Sequence, residues 1–135
     1  MKIAMQSSAF DRRALFEKIG VDVVAAQCRT EDDLIALLED VDGAQVSTWP
    51  PTSRKVLEQC RKLKVVSRMG VGVDSIDLEA ATDLGILVCN VPGINTAKVA
   101  EHAVAMLLSL TRRLHDAASS TRTGAWGTDW ALTLT

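Results

Sequence analysis

Chemistry in this sequence concentrates between Val65 and Asp74, which read Val-Val-Ser-Arg-Met-Gly-Val-Gly-Val-Asp. An apolar run ends there in Gly70-x-Gly72 and closes on an acid, the pattern of a strand opening into a tight turn. Glycines let a backbone turn sharply and come close to a ligand. In open α/β sheets that ligand sits in the crevice beyond the carboxyl ends of the strands. A dinucleotide loop would need a third glycine, for close packing of helix on strand, but position 75 is Ser. It would also need an acid about twenty residues on, at a strand end, to hold the ribose. The chain offers Asn90 and Asn95 there and no acid. The turn therefore reads as a site for a small anion, since successive backbone N–H groups in a glycine turn form a concavity for a carboxylate. The plainer alternative is a simple strand-to-helix turn.

Other reactive side chains are less promising. His102 lies on the polar arc of a predicted helix, and His115 lies near a helix end, where a cation suits the dipole. Neither has a nucleophile beside it, and the sequence contains no HExxH or Ser/His/Asp arrangement. Arg112-Arg113 reads as a solvated pair favoured by the same dipole. Trp126 and Trp130 read as packing residues. Cys28, Cys60 and Cys89 are odd in number, far apart and never in a CxxC spacing, which argues against a disulfide framework or zinc site and for a reducing cytoplasm. Each reads as a buried structural thiol. The expectation is no metal site and no catalytic residue in this chain.

The elements that must position the turn follow from punctuation and period. Lys2–Met5, Val21–Val24, Ala44–Val46, Leu63–Ser67 and Ile86–Val88 read as five strands. Between them lie four helices: Asp11–Ile19 ending at Gly20, one capped by Thr30 in a Thr-Glu-Asp-Asp box, one capped by Thr52 or Ser53 after Pro50-Pro51, and one from Leu78 to Leu84 capped by Asp77. Strands alternating with helices give βαβ units and a parallel sheet with helices on both faces. After Pro92 the pattern changes. Asn95 or Thr96 caps a long helix running to about Leu114. Lys98, Glu101, His102, Ser109, Arg112, Arg113 and Asp116 form its polar arc, and its apolar arc covers roughly 200°, against about 100° for one packed face. The surplus implies a second partner, another domain or another subunit. From Ala117 the helical spacing is lost, and the chain reads as a piece ending before its next element.

Composition agrees with this outline. The 135 residues fit one domain with a real core, and 47% hydrophobic with 24% charged residues is ordinary for a globular chain. A net charge of -2 gives no reason to expect nucleic acid or an anionic membrane. No secretory apolar region opens the chain, and the apolar run Ala103–Leu108 is too short to span a bilayer. The expectation is a cytoplasmic location.

Arg68-Met69-Gly70-Val71-Gly72-Val73-Asp74, then Ile76-Asp77-Leu78, Ala80-Ala81, Gly85-Ile86-Leu87-Val88, Asn90-Val91-Pro92-Gly93 and Val99-Ala100-Glu101-His102 together resemble the D-2-hydroxyacid dehydrogenases. D-3-phosphoglycerate dehydrogenase-like and formate dehydrogenase-like members are similar in this region, and the likeness covers about residues 40 to 126. The resemblance implies a flavodoxin-like substrate domain over residues 1–92. Residues 93–135 would then be a linker helix and the truncated beginning of a Rossmann nucleotide-binding domain. It implies that the backbone amides of Val71 and Gly72 hold the substrate carboxylate and that Arg68 meets a substrate phosphate. It further implies that Asn95 contacts substrate, and that Val71 and Thr96 contact the cofactor, NAD or NADP. The parent enzyme would pass hydride between the nicotinamide and C2 of a small 2-hydroxy or 2-oxo acid, as a homodimer. The catalytic Arg, Glu and His of the family have no counterpart here, so this chain alone is expected to be inactive. A surface arginine is the equally plausible reading of Arg68. The reading of another class is a non-catalytic module that binds a small anion or dimerises through its apolar helix.

Overall fold

A computed structural model describes residues 1–6 and 13–124. The chain divides into two compact units, Met1–Ile94 and Asn95–Thr135.

The first unit alternates strand and helix: β1 (Lys2–Met5), α1 (Arg13–Glu17), β2 (Asp22–Ala25), α2 (Glu31–Leu38), β3 (Gly43–Val46), α3 (Arg54–Gln59), β4 (Val65–Arg68), α4 (Leu78–Asp83) and β5 (Leu87–Cys89). The strands pair in the order β2-β1-β3-β4-β5, every pair parallel. This is the flavodoxin-like order, which reverses direction after β2. With right-handed crossovers, that reversal puts α1 on one face and α2, α3 and α4 on the other. The α/β reading of the sequence holds, with strand ends within two residues of those expected.

The α2–α4 face is the core. Leu34 and Leu38 from α2, Val56 and Leu57 from α3, and Ala80 and Ala81 from α4 are all buried. They meet Ala4, Ala44, Val46 and Val66, which alternate along the strands as one face requires. Each fully buried leucine contributes about 1.5–3 kcal/mol by leaving water. Local signals fix where the helices start. Thr30 and Asp33 make the complete capping box, with the Thr30 hydroxyl accepting from the Asp33 N–H and the Asp33 carboxylate accepting from the N–H groups of Arg29 and Thr30. Those bonds hold the Asp33 carboxyl below the usual value of 3.8. Asp77 caps α4 by accepting from the Ala80 N–H at 2.8 Å.

Not every thiol is structural. Cys60 is buried, and desolvation pushes its pKa up to about 11. Cys89 is exposed, contrary to expectation. It ends β5, the edge strand, where Val88 packs toward the core; alternation sends Leu87 and Cys89 to the other face, and Leu87 is 62% exposed.

The second unit begins with α5 (Thr96–Thr111) and continues as α6 (Leu114–Arg122). The single helix expected to reach about Leu114 therefore stops early. Arg113 adopts φ 46°, ψ 44°, a left-handed conformation that ends α5, and its guanidinium pairs with Asp116 at 2.8 Å in the first turn of α6. Helix also persists past Ala117, where the spacing gives no signal. There the Thr121 hydroxyl donates to the Ala117 carbonyl and the Thr123 hydroxyl to the Ser119 carbonyl, so the polar run satisfies itself within an exposed helix. No residue of α5 is buried. Trp126 and Trp130 lie outside the described residues.

Candidate carboxylate site

β4 delivers Arg68 to the carboxyl edge of the sheet, and the chain turns at once. The Met69 N–H still donates to the Val46 carbonyl at 3.2 Å, the last ladder contact with β3, and the Gly70 N–H donates to the Arg68 carbonyl at 2.9 Å. Gly70 has φ +154°, a region costly for other residues, and a Cβ there would stand 3.2 Å from Arg68 Nη1. The missing side chain is thus the space into which the Arg68 guanidinium folds. Nη1 donates to the Met69 carbonyl at 2.6 Å and Nη2 to the Thr48 hydroxyl at 2.7 Å, while Nε has no partner among the described residues.

The next two peptides are anchored from β5. The Val91 N–H donates to the Gly70 carbonyl at 3.0 Å, and Asn90 Nδ2 donates to the Val71 carbonyl at 2.7 Å. Both peptides are trans, so in each the N–H points opposite to the anchored carbonyl. The N–H groups of Val71 and Gly72 consequently point away from the β5 end, and neither has an acceptor among the described residues. Two successive N–H groups with no acceptor among the described residues are a donor pair of the kind that can meet a small anion.

Pyrophosphate fits this turn poorly. The Asp74 carboxylate stands 3.0 Å from where a Gly72 Cβ would be, so any anion held at this turn meets one negative charge beside it. The helix that follows has its first N–H groups partly satisfied by Asp77, where a nucleotide loop leaves them to phosphate. These observations agree with Ser75 standing in place of the third glycine.

Arg68, Val71 and Gly72 are thus brought together by one turn of the first unit. Asn95 and Thr96 belong to the second unit, where they open α5: Asn95 is its N-cap residue with no side-chain cap bond, and Thr96 is its first helical residue. His102 and His115 are exposed on the helices of that unit. Among the described residues, no group of three or more His, Cys, Asp or Glu could hold a metal, and no helix is long and apolar enough to cross a membrane.

Two polar residues matter more than their spacing suggested. Gln6 is buried, donates to the Trp49 carbonyl at 2.7 Å and accepts from the Ser47 N–H at 2.8 Å, fixing how the chain leaves β3 beside Thr48. Asn90 carries the bond to Val71. Only a polar residue placed just past an apolar strand hinted at either.

The family model for the catalytic domain of D-isomer specific 2-hydroxyacid dehydrogenases matches residues 4–132. The chain belongs to this family. It is 40% identical over 114 residues to D-3-phosphoglycerate dehydrogenase of Sus scrofa, covering 84% of this chain and 21% of that protein. It is 37% identical over 116 residues to the enzyme of the same name from Methanocaldococcus jannaschii, covering 86% of this chain and 22% of that one. An NAD-dependent formate dehydrogenase from Staphylococcus aureus, solved in complex with NAD, superimposes with a TM-score of 0.76 at 30% identity, covering 94% of this chain and 43% of that one. The chain therefore spans about a fifth of the length of these curated relatives.

Proposed function

We propose that this chain is the substrate-holding portion of an NAD- or NADP-dependent oxidoreductase acting on a small D-2-hydroxy acid or the corresponding 2-oxo acid. The observation that carries the reading is the pair of N–H groups at Val71 and Gly72, without an acceptor among the described residues and turned outward by their anchored carbonyls. Residues 1–92 act as the substrate domain, and residues 93–135 as a linker helix with the beginning of a nucleotide-binding domain. When bound, the nicotinamide supplies the hydride chemistry at C2 of the substrate. The residues of this chain bind and orient: Val71 and Gly72 hold the carboxylate by backbone N–H, and Arg68 meets a second anionic group when the substrate carries one. Asn95 contacts the substrate, while Val71 and Thr96 touch the cofactor. Fixing the carboxylate sets the position of C2, which is the entropic share of the catalysis.

The sequence has no GxGxxG loop, and we assign no catalytic residue to it, so the 135 residues alone are expected to give no turnover. The exposed apolar side of α5 supports a homodimer in the complete enzyme, and the same surface supports the second reading, a non-catalytic anion-binding or dimerising module. The odd, unpaired cysteines support a cytoplasmic location. Calorimetric titration with pyruvate tests the binding claim: saturable binding that competes with oxalate supports it, and none refutes it. NADH oxidation by the purified chain with a panel of 2-oxo acids would overturn the claim of inactivity.

A further inference from the structure

Within the reading of the turn as a carboxylate site, on which this inference rests, the geometry points to Asn90 as a positioning residue that sets the direction of the Gly72 N–H. The Val71–Gly72 peptide is followed by a glycine, whose backbone accepts either sign of φ, so rotation of this peptide plane meets little steric resistance. Rotated by half a turn, the peptide would offer the anion a carbonyl oxygen in place of the Gly72 N–H, and the site would repel what it now attracts. The bond from Asn90 Nδ2 to the Val71 carbonyl, 2.7 Å long across 19 positions of sequence, selects one orientation.

The neighbouring anchor, Val91 N–H to the Gly70 carbonyl, is backbone to backbone and holds the preceding peptide whatever side chain stands at 91. Asn90 is therefore the position at which sequence controls the site. Its exposure at the end of an edge strand argues against a mainly structural role, because a solvent-accessible hydrogen bond adds little net stability. Asn90 does not touch the substrate; it acts through the peptide.

The test uses the 135-residue chain, pyruvate as probe and calorimetry at pH 8 and pH 4, with folding checked by circular dichroism. Asn90→Leu removes the donor and is expected to weaken pyruvate binding about tenfold at both pH values, the usual worth of one such bond. Asn90→Asp is of equal size, but its carboxylate accepts only and repels the Val71 carbonyl. When protonated it again donates one bond. It is expected to bind weakly at pH 8 and to recover to within about threefold of the native chain at pH 4, a pH response that loss of packing would not produce. Native-like binding by Asn90→Leu at both pH values, or Asn90→Asp equally weak at both, would overturn the inference and leave the carboxylate site standing. No pyruvate binding by the native chain would overturn both.

Discussion

Helices α2 and α5 carry comparable proportions of apolar residues and meet different fates. In α2, eight residues long, Leu34 and Leu38 are fully buried. In α5, sixteen residues long, nothing is buried, and Val99, Leu107 and Leu110 are 58%, 60% and 77% exposed. The difference lies in what each helix has to pack on. α2 follows a strand and is returned to the sheet by the next one, as a βαβ unit demands, whereas among the described residues no strand follows α5. Stability should therefore reside in the sheet and its helices, and the apolar side of α5 should answer to association.

The largest effect that could break this contrast is a cavity under α2. Leu38→Ala should cost about 2–5 kcal/mol in urea unfolding, because the close-packed neighbours collapse only in part. A cost below about 1 kcal/mol would mean that the core is not where burial puts it. Next comes the capping box. Thr30→Ala should cost about 1 kcal/mol. Its partner Asp33 has a lowered pKa, so its contribution is present above the ordinary value of 3.8 and is lost as pH falls through the lower folded value. Acid titration of Asp33→Asn should show a correspondingly flatter loss of stability below that pH. A smaller effect is expected from α5: Leu107→Ala should change unfolding by less than about 0.5 kcal/mol. A cost equal to that of Leu38→Ala would erase the distinction between the two helices. With no stability change at all, a thiol reagent should modify exposed Cys89 in the native state and reach buried Cys60, whose thiolate is disfavoured, only on unfolding.

Much of this was legible in the sequence, for physical reasons. Strand and helix periods, the Thr30 box, the Asp77 cap and the glycine turn are local signals, and the structure follows them closely. The missing third glycine argued against a pyrophosphate role for the turn. What local pattern could not carry was the non-local part. The left-handed break at Arg113 occurs at a residue type that rarely adopts it. The helix over Leu114–Arg122 has too many Ser and Thr for its apolar spacing to register. Cys89 looked like a core thiol until strand order made β5 an edge. Asn90 appeared only as the acid that a ribose site lacks, because a side-chain bond spanning 19 residues leaves no periodic trace.

The central claim is that the outward N–H groups of Val71 and Gly72 hold a carboxylate, and amide-resolved NMR during a pyruvate titration tests it most directly. The account predicts that the Val71 and Gly72 amides shift together, saturably and by more than the core amides Val46 and Val66. Shifts confined to α5, or no shift at Val71 and Gly72 at saturating pyruvate, would contradict it.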